Sequence, residues 1–161
     1  MKILTTQLTG LFQRISQQEE AIEDTARLLA QAAVGEGTIF LAAFGEMKAV
    51  VSAAIDGAEP LPRVAEWHPE SIITSADRIW ILAKKDEGDE LAGRLADAHM
   101  PVAMLTAETK ETDMADAFIS LKMDKGLLPT EDGGRMLVPH AMGALYVYHA
   151  VKMVIDEMLA E

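Results

Sequence analysis

The chain has 161 residues, half of them apolar, with 14 Lys and Arg against 26 Asp and Glu (net charge −12) and no cysteine. That length suits one domain, residues 1–161, with a real core; the charge opposes a nucleic-acid partner, and the missing cysteine excludes disulfides, thiolate metal sites and a cysteine nucleophile. No run approaches the roughly 20 apolar residues of a membrane span, and the amino terminus lacks signal-peptide zones, so a cytoplasmic protein without a membrane partner is expected.

Leu4, Leu8, Leu11, Ile15, Ile22, Leu29 and Ala33 recur at spacings of three, four and seven, which predicts one long amphipathic helix or two over residues 4–34. The stripe needs a surface to cover it, either the sheet or a second copy of the chain. Gly35 and Gly37 stop it. Residues 38–44 are continuously apolar and short, as in a strand covered on both faces, and Gly45 supplies a turn. Residues 46–54 are helical in composition, and Gly57, Pro60 and Pro62 end that helix before a short strand at 63–67. A turn at 70–74 and Ser75-Ala76-Asp77 then lead into the best strand, 78–83.

A helix over 86–99, a strand over 101–105, a polar loop over 106–112 and a strand over 117–121 repeat the alternation. Connections this short between strands and helices predict an α/β fold with a doubly wound parallel sheet. Residues 123–138 carry three glycines and a proline and read as a long irregular loop. Pro139 suits the first turn of a last helix to residue 160, with Ala144, Tyr148, Val151, Ile155 and Met158 on its apolar face.

Gly45-Glu46-Met47-Lys48 and Lys84-Lys85-Asp86-Glu87-Gly88-Asp89 each follow a strand and precede a helix, where open α/β sheets bind ligands. Glu46 is placed either to act as a general base on a proton alpha to a carbonyl or to complement the helix dipole. Asp86, Glu87 and Asp89 have the same two readings. Lys48, Lys84 and Lys85 are anion contacts or solvated surface. His140 and His149 are candidate proton shuttles or packed surface residues, and nine residues apart they do not share a helix face. Arg135, in the loop over 130–135, would contact an anion if that loop closes over a ligand; otherwise the loop merely turns the chain. Four scattered histidines give no metal site, and neither a Gly-x-Gly-x-x-Gly nor a Walker pattern is present.

This order of elements resembles the sugar isomerase (SIS) domain. The likeness runs through the Ile39 strand with its Gly45 turn, Ser75-Ala76-Asp77 before the Ile79 strand, the loop over 84–90, the Val102 strand and Ala115-Asp116-Ala117-Phe118-Ile119. The closing segment, Gly126-Leu127-Leu128-Pro129 through Leu145-Tyr146-Val147-Tyr148-His149-Ala150, looks like bacterial proteins described as phosphoheptose-isomerase-like. The resemblance implies a five-stranded sheet of flavodoxin-like strand order, a sugar phosphate or sugar derivative as ligand, and an aldose–ketose isomerisation that needs no cofactor. It assigns Glu46 as base, His140 as acid and Lys84 as anion contact, in a site made by the Gly45, Gly88 and Thr106 loops. Met47, Lys85, Asp86 and Arg135 complete the expected ligand contacts.

It also implies a homodimer paired through helices, with the stripes at 4–33 and 144–158 as an isologous interface. The chain departs from the SIS pattern where hydroxyls would wrap a phosphate. Gly45-Glu46-Met47 has none, and the second loop has carboxylates instead. Those carboxylates would repel a phosphate dianion unless Lys84 and Lys85 turn inward. The rival reading is a degenerate SIS module that senses a ligand or mediates interaction without catalysis.

Overall fold

The computed structural model describes residues 1–109 and 112–160. In chain order its helices are α1 (Lys2–Ser16), α2 (Glu19–Val34), α3 (Lys48–Asp56), α4 (Asp89–Asp97) and α5 (His140–Ala160). The strands are β1 (Ile39–Ala43), β2 (Val64–Glu66), β3 (Arg78–Ala83), β4 (Val102–Thr106), β5 (Ala117–Ser120), β6 (Leu128–Pro129) and β7 (Arg135–Met136), and a 3-10 turn, Gly45–Met47, follows β1. The first five strands form one parallel sheet in the order β2-β1-β3-β4-β5, the doubly wound arrangement expected.

Alternation along the strands divides the core. Ile39, Leu41, Trp80, Leu82 and Ile119 face the layer built from α1, α2, α3 and α5. Ala42, Ile79, Ile81 and Met104 face α4, with Trp67 and Ile73 of the β2–β3 connection covering the rest of that side.

The leading stripe folds as two helices because Gln18, at φ −86° and ψ 49°, turns the chain between them. Its side-chain amide donates to the carbonyl of Ser120 at 2.7 Å and accepts that residue's N–H at 3.2 Å, which fixes the joint beside β5. Leu11, Ile15, Ile22 and Leu29 are buried, as are Ala144, Tyr148, Val151 and Ile155. α2 packs on α5, and Phe12 stacks on Tyr146 with ring centroids 4.8 Å apart. Much of both stripes is therefore covered within one chain, while Leu4, Leu8 and Met158 stay partly buried.

Other differences have local causes. The helix expected from residue 86 starts at Asp89, because Glu87 accepts the N–H of Lys85 at 2.8 Å and holds residues 85–87 in a tight turn. Pro101 cannot donate to a ladder, so β4 begins at Val102 and runs on to Thr106. Lys110 and Glu111 of the predicted 106–112 loop lie outside the described residues.

The stretch over 123–138, expected to be irregular, contains the antiparallel β6–β7 hairpin. Arg135 ties it by donating from Nε to Gly126 O at 2.6 Å and from Nη2 to Leu127 O at 2.9 Å. Gly126 permits the closure, since a Cβ there would lie 2.3 Å from the Met136 carbonyl oxygen. Pro139 sits just before α5, its carbonyl accepting the N–H of Gly143 at 3.0 Å. Among the described residues no helix is long and apolar enough to cross a membrane.

Asp77 joins the starts of the two central strands. One carboxylate oxygen accepts the N–H of Thr38 at 2.8 Å, and the other accepts the N–H and hydroxyl of Thr74 at 2.7 and 3.0 Å. Burial alone would push this carboxyl up, but those bonds and the charge of Arg78 outweigh it and hold it below its ordinary 3.8. A native value below the unfolded one gives stability that is fully present above pH 3.8 and lost as the pH falls through the native value. Asp77→Asn is expected to lower stability at pH 7 by about 1–3 kcal/mol in urea titrations. The gap to the parent chain should close as the pH is taken below 3.8.

Candidate functional site

β1 and β3 are neighbours, but the chain leaves β1 toward β2 and β3 toward β4, so the crevice above their carboxyl ends is the switch point of the sheet. The N–H of Phe44 donates to Leu82 O at 2.9 Å and carries the ladder up to the turn. There Gly45 takes φ +59°, a left-handed conformation that favours glycine, and a Cβ on it would meet nothing within 4 Å. The turn therefore presents bare backbone to open space. Glu46 follows in the first turn of the 3-10 segment.

His140, the first residue of α5, lies against this turn. Its Nδ1 is 2.6 Å from Glu46 Oε1, across 94 residues of sequence. The imidazole side chain is 17% exposed and the carboxylate 48%, so the pair is open to a ligand on the carboxylate side. With Nδ1 donating to Glu46, Nε2 of a neutral ring is an acceptor, and it makes no hydrogen bond to another described residue. A carboxylate and an imidazole so arranged can remove a proton from carbon and pass one between oxygens.

Met47, expected to contact ligand, is instead fully buried, and its N–H donates to Phe44 O at 3.2 Å. Its apolar side chain is drawn into the core by the turn that exposes Glu46, so its role is to anchor that turn. His149 is exposed and lies two and a half turns along α5 from His140.

A cavity of about 560 Å³ opens beyond β3 and β4, lined by Lys85, Asp86, Asp89 and Thr106 together with Glu108 and Asp113. Met104 and Phe118 give it an apolar wall on the α4 side. Lys85 Nζ lies 3.7 Å from Glu108 Oε1, which offsets the one cation among those lining residues. Burial, then repulsion from Asp86, Glu108 and Glu87, pushes the Asp89 carboxyl up. Glu87 goes the other way: burial would raise it, but backbone N–H groups of Glu87, Lys85 and Lys84 and the charge of Lys84 prevail. The lining of the cavity thus carries more negative than positive charge, and Lys84, outside that lining, interacts electrostatically with Glu87.

Thr106 lines this cavity, but its hydroxyl donates to Glu108 O at 3.3 Å, so it offers a ligand acceptor capacity only. Gly88 is buried between the two neighbourhoods, where a Cβ would come 2.3 Å from Ile81 Cγ2 and 3.5 Å from Phe44 Cε2. Arg135 belongs to neither neighbourhood: it lines a separate cleft beside α1. The single site expected from the Gly45, Gly88 and Thr106 loops therefore resolves into a carboxylate–imidazole pair over β1 and an acidic cavity over β3 and β4. Glu108 and Asp113 were missed in the sequence, although they follow a strand end just as the residues chosen there do. Among the described residues no group of three or more His, Asp or Glu side chains is arranged to hold a metal ion.

Residues 1–159 match the family described as Domain of unknown function (DUF2529). The chain belongs to that family. It is 38% identical over 171 aligned positions to the uncharacterized protein YwjG of Bacillus subtilis (strain 168), covering all of this chain and 98% of that one. Two solved structures show the fold that this DUF2529 member shares. One is a proposed sugar-phosphate isomerase of Listeria monocytogenes, at 14% identity and TM-score 0.67, with 98% of this chain and 91% of that chain covered. The other is a proposed phosphosugar isomerase involved in capsule formation from Bacteroides fragilis, at 12% identity and TM-score 0.62, with 98% and 92% covered. The common fold is the SIS-like five-stranded parallel sheet with its flanking helices.

The two glycines at this crevice differ in what they tolerate. Gly88→Ala should cost about 1–3 kcal/mol, because a β-branched buried neighbour, Ile81, must move. Gly45→Ala should cost about 1–2 kcal/mol from backbone conformation alone. Urea unfolding of each variant measures both, and repacking around residue 88 would be visible only in the first.

Proposed function

We propose that this DUF2529 protein interconverts an aldose and a ketose, as a phosphorylated sugar or a related sugar derivative, without a cofactor. The observation that carries the reading is the 2.6 Å contact between Glu46 and His140 at the switch point of the sheet. The descriptions of its structural relatives as proposed sugar-phosphate isomerases support the substrate class. In the reaction, Glu46 takes the proton from the carbon alpha to the carbonyl, and the electron pair moves through the new carbon–carbon double bond onto the carbonyl oxygen. Nε2 of His140 takes the proton of the neighbouring hydroxyl and delivers it to that oxygen, and Glu46 returns its proton to the former carbonyl carbon. Nothing is oxidised or reduced overall; the hydrogens exchange places. The backbone at Gly45 leaves room for the substrate to approach the pair.

A second reading is a ligand-sensing module without catalysis. It is favoured by Asp86 and Asp89, which line the cavity where phosphate-binding hydroxyls would stand.

Isomerisation assays over a panel of aldose and ketose phosphates and free sugars separate the two. Glu46→Gln and His140→Gln should each reduce turnover by about 10²- to 10⁴-fold with the fold intact by circular dichroism. Ligand-induced thermal stabilisation without turnover in the parent chain, or turnover indifferent to both substitutions, would favour the sensor or sink the assignment. Gly45→Ala should weaken ligand binding while the chain remains folded, which the same thermal-shift panel reads.

A further inference from the structure

Four of the 14 Lys and Arg residues of this acidic chain line one cleft of about 380 Å³: Arg14, Lys122, Lys125 and Arg135. The cleft lies between α1 and the segment 122–127 that follows β5, apart from both neighbourhoods described above. Asp124 is the only carboxylate among its lining residues, so four cations against one anion leave a local charge of +3 in a molecule of −12. No carboxylate of the described residues comes within 4.0 Å of any of the four, whereas Arg27, Lys85 and Lys152 all have such partners.

The backbone adds donors. Asp124, Lys125 and Gly126 line the cleft, and their N–H groups find no protein acceptor among the described residues. Arg135 has Nε and Nη2 engaged with the carbonyls of Gly126 and Leu127, which fixes its guanidinium and leaves Nη1 without a protein acceptor among the described residues. Cations gathered at this density repel one another, and an anion seated among them removes that repulsion. Consecutive free amides beside them are the other recurrent element of anion sites. The volume falls in the range of about 300–1,000 Å³ typical of small-molecule pockets.

We infer that this cleft binds a small organic anion carrying two or more phosphate or carboxylate charges. The net charge of the whole chain opposes a polymeric anion, so the ligand is a metabolite-sized molecule rather than a nucleic acid. The site is independent of the Glu46–His140 pair.

The test is titration of the ¹⁵N-labelled protein with pyrophosphate and, separately, citrate at low ionic strength. Saturable shifts are expected at the amides of residues 122–127 and 7–14 with at least one of the two, and whichever binds more tightly names the anionic group. The double variant Arg14→Gln/Lys125→Gln should weaken binding about tenfold and each single variant about threefold, as expected of exposed charge contacts. Both positions are exposed, and the same spectra report whether the variants remain folded. Glu46→Gln should leave the titration unchanged. Non-saturating shifts with both probes, equal affinity in the charge variants, or shifts centred on residues 45–48 and 84–89 would each overturn the inference.

Discussion

The hydrogen-bonded ladder between β1 and β3 runs from Ile39 opposite Arg78 to Ala43 opposite Leu82, and both of its ends are tied. At the amino end the Asp77 carboxylate reaches the N–H of Thr38, while at the carboxyl end the N–H of Phe44 bonds Leu82 O. Because β2 and β4 lie on opposite outer sides of this pair, the two following loops diverge and leave the crevice at which Glu46 stands. His140 reaches the same place only because α5 is held by its buried face. Tyr148 adds a polar tie by donating to Glu59 O at 3.1 Å. Burial, with Asp156 and Glu59 nearby, pushes its phenol up to about 12, so it remains a donor at any ordinary pH.

Much of this was legible in the sequence because the core obeys simple periods. The continuous apolar runs became the central parallel strands, and the three-and-four stripe became buried helix faces. Less legible were features set by single polar contacts. The late start of α4 depends on Glu87 folding back on Lys85, and the β6–β7 hairpin depends on one guanidinium reaching two carbonyls. Neither leaves a periodic mark. Glu46 and His140 could be named from their positions at helix starts, but their contact is tertiary, set by how α5 crosses the end of β1. The covering of the helical stripes by one another was open for the same reason, since a stripe specifies that it must be buried and not by what.

The charges are also partitioned in space. Carboxylates concentrate in the cavity over β3 and β4, whereas the cleft beside α1 gathers cations. Since screening at physiological salt confines such fields to about 8 Å, each pocket sets its own electrostatic selectivity largely regardless of the net charge. A molecule that is strongly acidic as a whole can therefore present surfaces of both signs to solutes of different charge.

Gln18 has a consequence beyond placing the joint between α1 and α2. Ser120 belongs to the outermost strand on its side of the sheet, and its N–H and carbonyl would otherwise be open to another chain. By taking both, one side-chain amide imitates the next strand and ends the sheet there. At the opposite border β2 is only three residues long and is preceded by Pro60 and Pro62. A parallel sheet with a strongly apolar interior is thus blunted at both borders against strand addition, which guards a concentrated solution of this protein from edge-to-edge aggregation.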